Sequence, residues 1–220
     1  YQATGDAAWI ERAVELQTNQ DLRYLDEQAG GYYLTAAGAE ALLVREKPVY
    51  DRAVPSGNSV SANNLLRLHD FTGDPKWRRR AERLFASLAF QVTRSPMGFP
   101  LLLVALDRYY DSALEVAVIA PASRDEAAAL SERLRKSFVP NKVFTVLSDA
   151  EVSQQEAMLP WLEAKRAMSG KSTAYVCERG RCELPTSKPN VFQKQLDRRT
   201  AYPSFAETTP PRLPFERAKQ

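Results

Sequence analysis

One pattern occurs twice in this chain: Thr4-Gly5-Asp6-x-x-Trp9-x-x-Arg12-Ala13 returns as Thr72-Gly73-Asp74-x-x-Trp77-x-x-Arg80-Ala81. In both copies Gly tolerates a turn and Asp follows as an N-cap, its carboxylate placed to accept the first free N–H groups of a helix. Helical spacing comes next. Ile10, Ala13 and Val14 form one apolar stripe, and Trp77, Ala81, Leu84, Phe85, Leu88 and Val92 form a longer one at steps of three and four. Pro75 stands at the first helical position, where its missing N–H costs little. Two further helices are expected: Ser59 to Phe71, with Ala62, Leu65, Leu66 and His69 on one face, and Pro100 to Tyr110, with Leu102, Ala105, Leu106 and Tyr109 aligned. Between them, Gly30-Gly31-Tyr32-Tyr33-Leu34-Thr35 reads as a short strand or hairpin edge. Pro48 and Pro55 make their segment irregular, because proline fixes φ and removes a donor. The repeat and the period together predict an array of α-hairpins up to about residue 112.

The period then changes. Leu114 to Ala120 is an apolar β-rich run, Ser123 to Phe138 a helix and Lys142 to Leu147 a second β-rich run, which is the signature of a βαβ unit. Ser123 with Glu126, and Ser148 with Glu151, have the spacing of capping boxes. Thr173 to Cys177 is a third strand, followed by a turn at Glu178-Arg179-Gly180-Arg181. The residues after Ile119 are Ala-Pro-Ala-Ser, which lack the glycine fingerprint of a dinucleotide site. The organisation expected is residues 1–112 as α-hairpins, 113–198 as a small α/β subdomain, and 199–220 as an extended or disordered tail rich in proline.

Composition narrows the function classes. With 220 residues and 44% hydrophobic content the chain can bury a core without staples. Its charge of +3 arises from 30 basic and 27 acidic residues that are well mixed, so no basic stripe points to nucleic acid. The longest apolar runs, around Leu101 to Leu106 and Val116 to Pro121, are too short to span a membrane. Two cysteines argue against a disulfide-dense secreted scaffold and fit a reducing compartment, so a cytoplasmic location is expected. The start at Tyr1, inside the repeat, reads as a piece of a longer polypeptide or a processed product.

Polar chemistry concentrates in residues 44–68, VREKPVYDRAVPSGNSVSANNLLRL, where a loop carrying Arg45, Lys47, Asp51, Ser56 and Asn58 runs into a helix. Arg offers a planar donor fork, Asp a carboxylate able to bind hydroxyls or take a proton, and Ser and Asn neutral hydrogen bonds. VREKPVYD, PSGNSV with LLRL, TGDPKW with RAERL, PNKV, and TAYVC with a second Cys and Pro185 resemble the C-terminal third of the large "domain of unknown function 255", or thioredoxin-like spermatogenesis-associated, protein family, from about residue 4 to 197. The resemblance implies a thioredoxin-like domain upstream, then an (α/α)6 toroid similar to N-acylglucosamine 2-epimerases and six-hairpin glycosidases. On that basis the fold class expected is mainly α, part of an (α/α)6 six-hairpin toroid, followed by the small α/β subdomain. The sequence departs from the family pattern at Arg52, where a Gly usually follows the Asp, and holds no Cys-x-x-Cys.

In such a toroid the loop would line the mouth, and Arg45, Lys47, Asp51, Ser56 and Asn58 would bind a small-molecule sugar. The bland alternative makes Arg45 and Asp51 a structural ion pair, with Ser56 or Asn58 capping the next helix. An enzyme of this kind would be a sugar isomerase of the 2-epimerase type, with Asp51 assisting and the main catalytic groups upstream. No cofactor or metal is expected. From a different class comes a non-catalytic helical scaffold that positions the upstream thioredoxin-like domain against protein clients, its partners being that domain and the remaining toroid hairpins. Other features invite blander readings. Cys177 and Cys182 flank a turn and could face each other across a hairpin, even bonding if their Cα atoms came within about 7 Å; two small buried or edge residues are expected ahead of a redox role. His69 suits packing on the apolar face of its helix. Lys76, Arg78, Arg79, Arg80 and Arg83 decorate a solvated helix face, and Tyr32 and Tyr33 suit edge packing better than a sugar ring.

Overall fold

The computed structural model describes residues 1–39, 43–111 and 113–198, so the expected tail at 199–220 lies outside the described residues. The chain divides into two compact units. One comprises residues 1–10, 70–73 and 111–198; the other comprises residues 11–69 and 74–110, among the described residues.

The first unit is built on a four-stranded sheet in the order β2-β1-β3-β4. Strand β1 (Leu114–Ala120) pairs in parallel with β2 (Lys142–Ser148) and antiparallel with β3 (Thr173–Glu178), which turns back into the short β4 (Arg181–Cys182). The crossover from β1 to β2 is a single 3-10 turn, Arg124–Ala127, running into a helix, Ala128–Lys136. Leu114, Val116, Val118 and Ala120 face the same side as Ala174 and Val176, and there they meet Leu130 and Leu134 of that helix and Phe192 and Leu196 of the helix Pro189–Asp197. Both capping boxes form. Ser123 and Ser148 each accept from a backbone N–H one turn on, while Glu126 and Glu151 reach back to the cap N–H groups. Glu151 has a second partner in Arg124, through contacts of 2.9 Å and 2.6 Å. That bidentate contact, helped by Ser148 and opposed by burial, lowers the Glu151 carboxyl to about 2.

The second unit is helical. We number helices in chain order: α1 (Ala8–Tyr24), α2 (Gly57–Thr72), α3 (Pro75–Arg94) and α4 (Pro100–Tyr110), with α5 (Ala128–Lys136), α6 (Asp149–Gln155) and α7 (Pro189–Asp197) in the sheet unit. The six apolar positions predicted for α3, from Trp77 to Val92, are its buried residues. They close on Ala62, Leu65, Leu66 and Leu68 of α2 and on Leu102 and Ala105 of α4. The repeat produces the same local device twice: the Asp6 carboxylate accepts the Ala8 N–H at 3.0 Å and the Asp74 carboxylate the Lys76 N–H at 2.9 Å. Gly5 precedes the first cap at φ +65°, and a Cβ there would lie 2.8 Å from the Arg124 guanidinium, so glycine is required. Environment separates the copies, since Trp77 is 2% exposed and Trp9 is 54% exposed.

The expectation of a mainly α chain forming part of an (α/α)6 six-hairpin toroid is overturned. Helix makes up 51% of the described residues and a four-stranded mixed sheet is present, which defines an α/β fold. The physical reason lies in the sheet segments: β1, β2 and β3 are short runs of β-branched and apolar residues that satisfy their backbone in a shared ladder, β1 and β3 buried on both faces and β2 alternating between buried and half-buried positions. Nor do α1 and α2 form a tight hairpin, because residues 25–39 and 43–56 between them are turns and extended chain broken by Gly30, Gly31, Pro48 and Pro55. No helix among the described residues is long and apolar enough to cross a membrane.

The Glu151 contact sets an acid limit. A carboxyl held below its unfolded value contributes stability that is complete above about 4.5, the ordinary value, and is lost as pH falls toward about 2. Urea unfolding across that window is expected to be steeper in pH for the wild type than for Glu151→Gln, and parallel profiles would remove the ion pair from the account.

Candidate functional site

The polar loop has a single organising residue. Asp51 Oδ1 accepts the Ser56 N–H at 2.8 Å, and Oδ2 accepts the Leu101 N–H at 2.8 Å. Ser56 directly precedes α2, whereas Leu101 follows Pro100 at the start of α4. Pro100 has no N–H and Phe99 has no capping side chain, so α4 obtains its N-terminal acceptor from a residue far back in the sequence. Burial pushes the Asp51 carboxyl up. Hydrogen bonds from the Ser56 amide, the Ser59 hydroxyl and the Leu101 and Leu102 amides outweigh it and hold the group below the usual carboxylate range.

The other expected ligand residues are also engaged. Ser56 is the cap of α2: its Oγ accepts the Ser59 N–H at 3.1 Å and donates to Ser59 Oγ at 2.9 Å. Asn58 is 1% exposed, and its amide pairs with the Tyr32 backbone, accepting the Tyr32 N–H at 2.8 Å and donating to the Tyr32 carbonyl at 3.0 Å. Its second N–H goes to the Pro48 carbonyl at 2.8 Å. Close approach there makes Gly31 necessary, since at φ +74° a Cβ would lie 3.0 Å from Asn58 Oδ1. Lys47 contacts Asp26 at 2.5 Å and donates to the Gly30 carbonyl at 2.9 Å. Arg45 donates to the Thr35 carbonyl at 2.6 Å and lies 4.0 Å from the centre of the Tyr33 ring. No ion pair joins Arg45 to Asp51, so that part of the bland alternative does not form; capping by Ser56 does.

Two groups not singled out in the sequence complete the arrangement. Asp26 accepts from Lys47, from the Gln28 and Ala29 amides at 2.9 Å each, and from the Tyr33 hydroxyl at 2.7 Å. Lys47 first, then the Ala29 amide and Tyr33, hold its carboxyl far below the usual range. The signal was an Asp three residues before Ala29-Gly30-Gly31, the pattern of an Asx turn. Asp21 is the second: it accepts from the buried Tyr32 hydroxyl at 2.7 Å and pairs with Arg80 at 3.2 Å.

Features read as surface decoration are paired. Lys76 meets Asp74, Arg78 meets Glu82 and Arg83 meets Glu27, which disperses the basic cluster of α3. His69 is half-buried, with Nδ1 3.3 Å from the Asp74 carbonyl. Within the sheet unit, burial raises the Glu115 carboxyl and lowers the Lys165 ammonium, each opposed by the charge of the other. Cys177 and Cys182 occupy paired positions on β3 and β4 and are joined by a disulfide, their Cα atoms 3.9 Å apart. Among the described residues no group of three or more His, Cys, Asp or Glu side chains could hold a metal ion.

The geometry defines an α/β protein whose polar loop is bonded into its own helix ends. Comparison adds relatives. The chain is 35% identical to human spermatogenesis-associated protein 20 over 198 residues, covering 89% of this chain and 25% of that protein. It is 33% identical to the mouse protein of the same name over 199 residues, with the same coverage. An uncharacterised protein of Caenorhabditis elegans is 25% identical over 187 residues, covering 84% of this chain and 25% of that one. The chain thus spans about a quarter of the length of the curated relatives it matches. No family model matches it.

Removing the Asp51 side chain leaves the Ser56 and Leu101 amides, one at each helix start, without their acceptor, while Ser56 Oγ still caps α2. Asp51→Ala is expected to lower the unfolding free energy by about 2 kcal/mol, roughly one per lost acceptor, and Asp51→Asn by less, because its amide oxygen still accepts one N–H. Urea denaturation measures both; a loss in Asp51→Ala below about 0.5 kcal/mol, the range of ordinary surface changes, would show that the carboxylate ties down neither helix.

Proposed function

We propose that this chain is a non-catalytic folded platform within a longer polypeptide, and that it positions a thioredoxin-like domain of that polypeptide against protein clients. The observation that carries the platform reading is the saturation of Asp51. A general base or sugar ligand needs a carboxylate oxygen turned toward substrate, whereas both oxygens of Asp51 accept backbone N–H groups. Asn58 and Ser56 are buried and spoken for in the same way, so a polyol entering the loop would have to break caps before making contacts. The thioredoxin-like partner comes from the family resemblance. The matched relatives extend well beyond the segment this chain covers, which leaves room for such a domain.

Platform and sugar site make opposite demands in a thermal-shift screen of the full chain against mono- and disaccharides. A ligand at about 100 times its dissociation constant stabilises by roughly 2.7 kcal/mol, which is readily seen. The platform reading expects unchanged melting with every sugar; saturable stabilisation by one sugar, abolished in Asp51→Asn, would overturn it and restore the loop as a carbohydrate site.

A further inference from the structure

The two cysteines carry chemistry that the platform reading does not use. Cys177 is 1% exposed on β3, while Cys182 is exposed on β4, the outermost strand of the sheet. Their bond closes a very short loop, with a sequence separation of 5, so it removes little conformational freedom from the unfolded chain. The hairpin has other restraints. Arg179 and Gly180 sit at φ +52° and +72°, the left-handed pair of a two-residue hairpin turn, and backbone bonds from Glu183 to Val176 and between Thr186 and Ala174 continue the register. A bond that is dispensable for holding the hairpin, with one sulfur buried and the other open, is built to be exchanged.

We propose that Cys177–Cys182 is a site of reversible thiol–disulfide exchange, reached by a dithiol reductant through Cys182. One thiolate of the reductant attacks Cys182 Sγ; a sulfur–sulfur bond forms between them as the Cys182–Cys177 bond breaks and Cys177 leaves with the electron pair. The second thiol of the reductant then attacks its own partner sulfur in the mixed disulfide and releases Cys182. The reductant ends as a disulfide, oxidised by two electrons, and its two thiol protons end on Cys177 and Cys182. In the chain Cys182 lies between Arg181, which favours an approaching thiolate, and Glu183, whose carboxylate is drawn toward Arg198 at 3.6 Å. The same hairpin lines an open cavity of about 510 Å³ together with Leu114, Val176 and Gln195 of α7. Exchange therefore changes the covalent restraint on that wall while its backbone pairing persists. The inference is independent of the role given to Asp51, which lies in the other unit.

Dithiothreitol is the probe for the wild-type chain, without denaturant, followed by alkylation with iodoacetamide and peptide mass analysis. Native exchange predicts that both cysteines become alkylated with the circular dichroism spectrum unchanged, and that Cys182 is labelled first. Direction is read in single variants treated with oxidised glutathione: Cys177→Ala, which keeps Cys182, should form the mixed disulfide at least tenfold faster than Cys182→Ala, which keeps Cys177. Labelling that begins only when urea is added, or equal rates in the two variants, would overturn the proposal. Should either variant misfold, the wild-type labelling experiment still decides.

Discussion

Asp51 supplies an acceptor to the starts of two helices that are far apart in sequence, through the Ser56 and Leu101 amides. Each of those amides belongs to a helix end, where the N–H groups have no partner within the helix and carry the positive pole of its dipole. A carboxylate is the strongest local answer to both needs, and here one carboxylate answers two helices at once. The Asp51 amide adds a third tie by donating to the Gly98 carbonyl at 2.9 Å, in the turn before α4. The core of the helical unit depends on this clamp because α2 and α4 can present Leu65, Leu66 and Leu102 to the α3 stripe only from fixed starting points.

The same use of acidic groups recurs through the chain. Asp74 and Asp6 cap the repeated helices, Asp26 closes an Asx turn, and Glu126 and Glu151 complete capping boxes in the sheet unit. Glu151 goes further by binding Arg124, whose guanidinium also donates to the Thr4 and Gly5 carbonyls. A concentration of charge in a loop thus has two meanings, a ligand site or a set of chain-end anchors. What separates them is the count of unused acceptor atoms.

Local devices were legible and their partners were not. The α3 stripe and the two capping boxes follow from spacing alone, because each is decided by neighbours within a few residues, and the parallel β1–β2 pair follows from the strand–helix–strand order of the sequence. Gly30 to Thr35 reads as a short strand or hairpin edge, and an isolated antiparallel bridge between Leu25 and Tyr32 forms there rather than a full strand: Gly30 and Gly31 take left-handed φ, and Asn58 occupies the Tyr32 backbone. The residue types of the polar loop were legible too, but Asp51 with Leu101, Asn58 with Tyr32 and Lys47 with Asp26 meet only after folding. The toroid failed for a related reason. Helical periodicity reports that a segment is a helix and which face is apolar, and it is silent on whether successive helices close into hairpins, while Gly30, Gly31, Pro48 and Pro55 between the first two helices already opposed it.

Hydrogen-bonding acids do not exhaust the chemistry of the chain. A carboxylate that receives two amides cannot turn to a substrate without releasing them, and at Asp51 those are the Ser56 and Leu101 amides. A disulfide across a hairpin is restrained differently, because the ladder bonds that flank it survive its cleavage. Cys182 can therefore react while the fold is intact, whereas Asp51 cannot. The proposed exchange falls where covalent restraint duplicates hydrogen bonding, at the β4 edge of the sheet, whereas the Leu101 amide at the start of α4 depends on the Asp51 side chain.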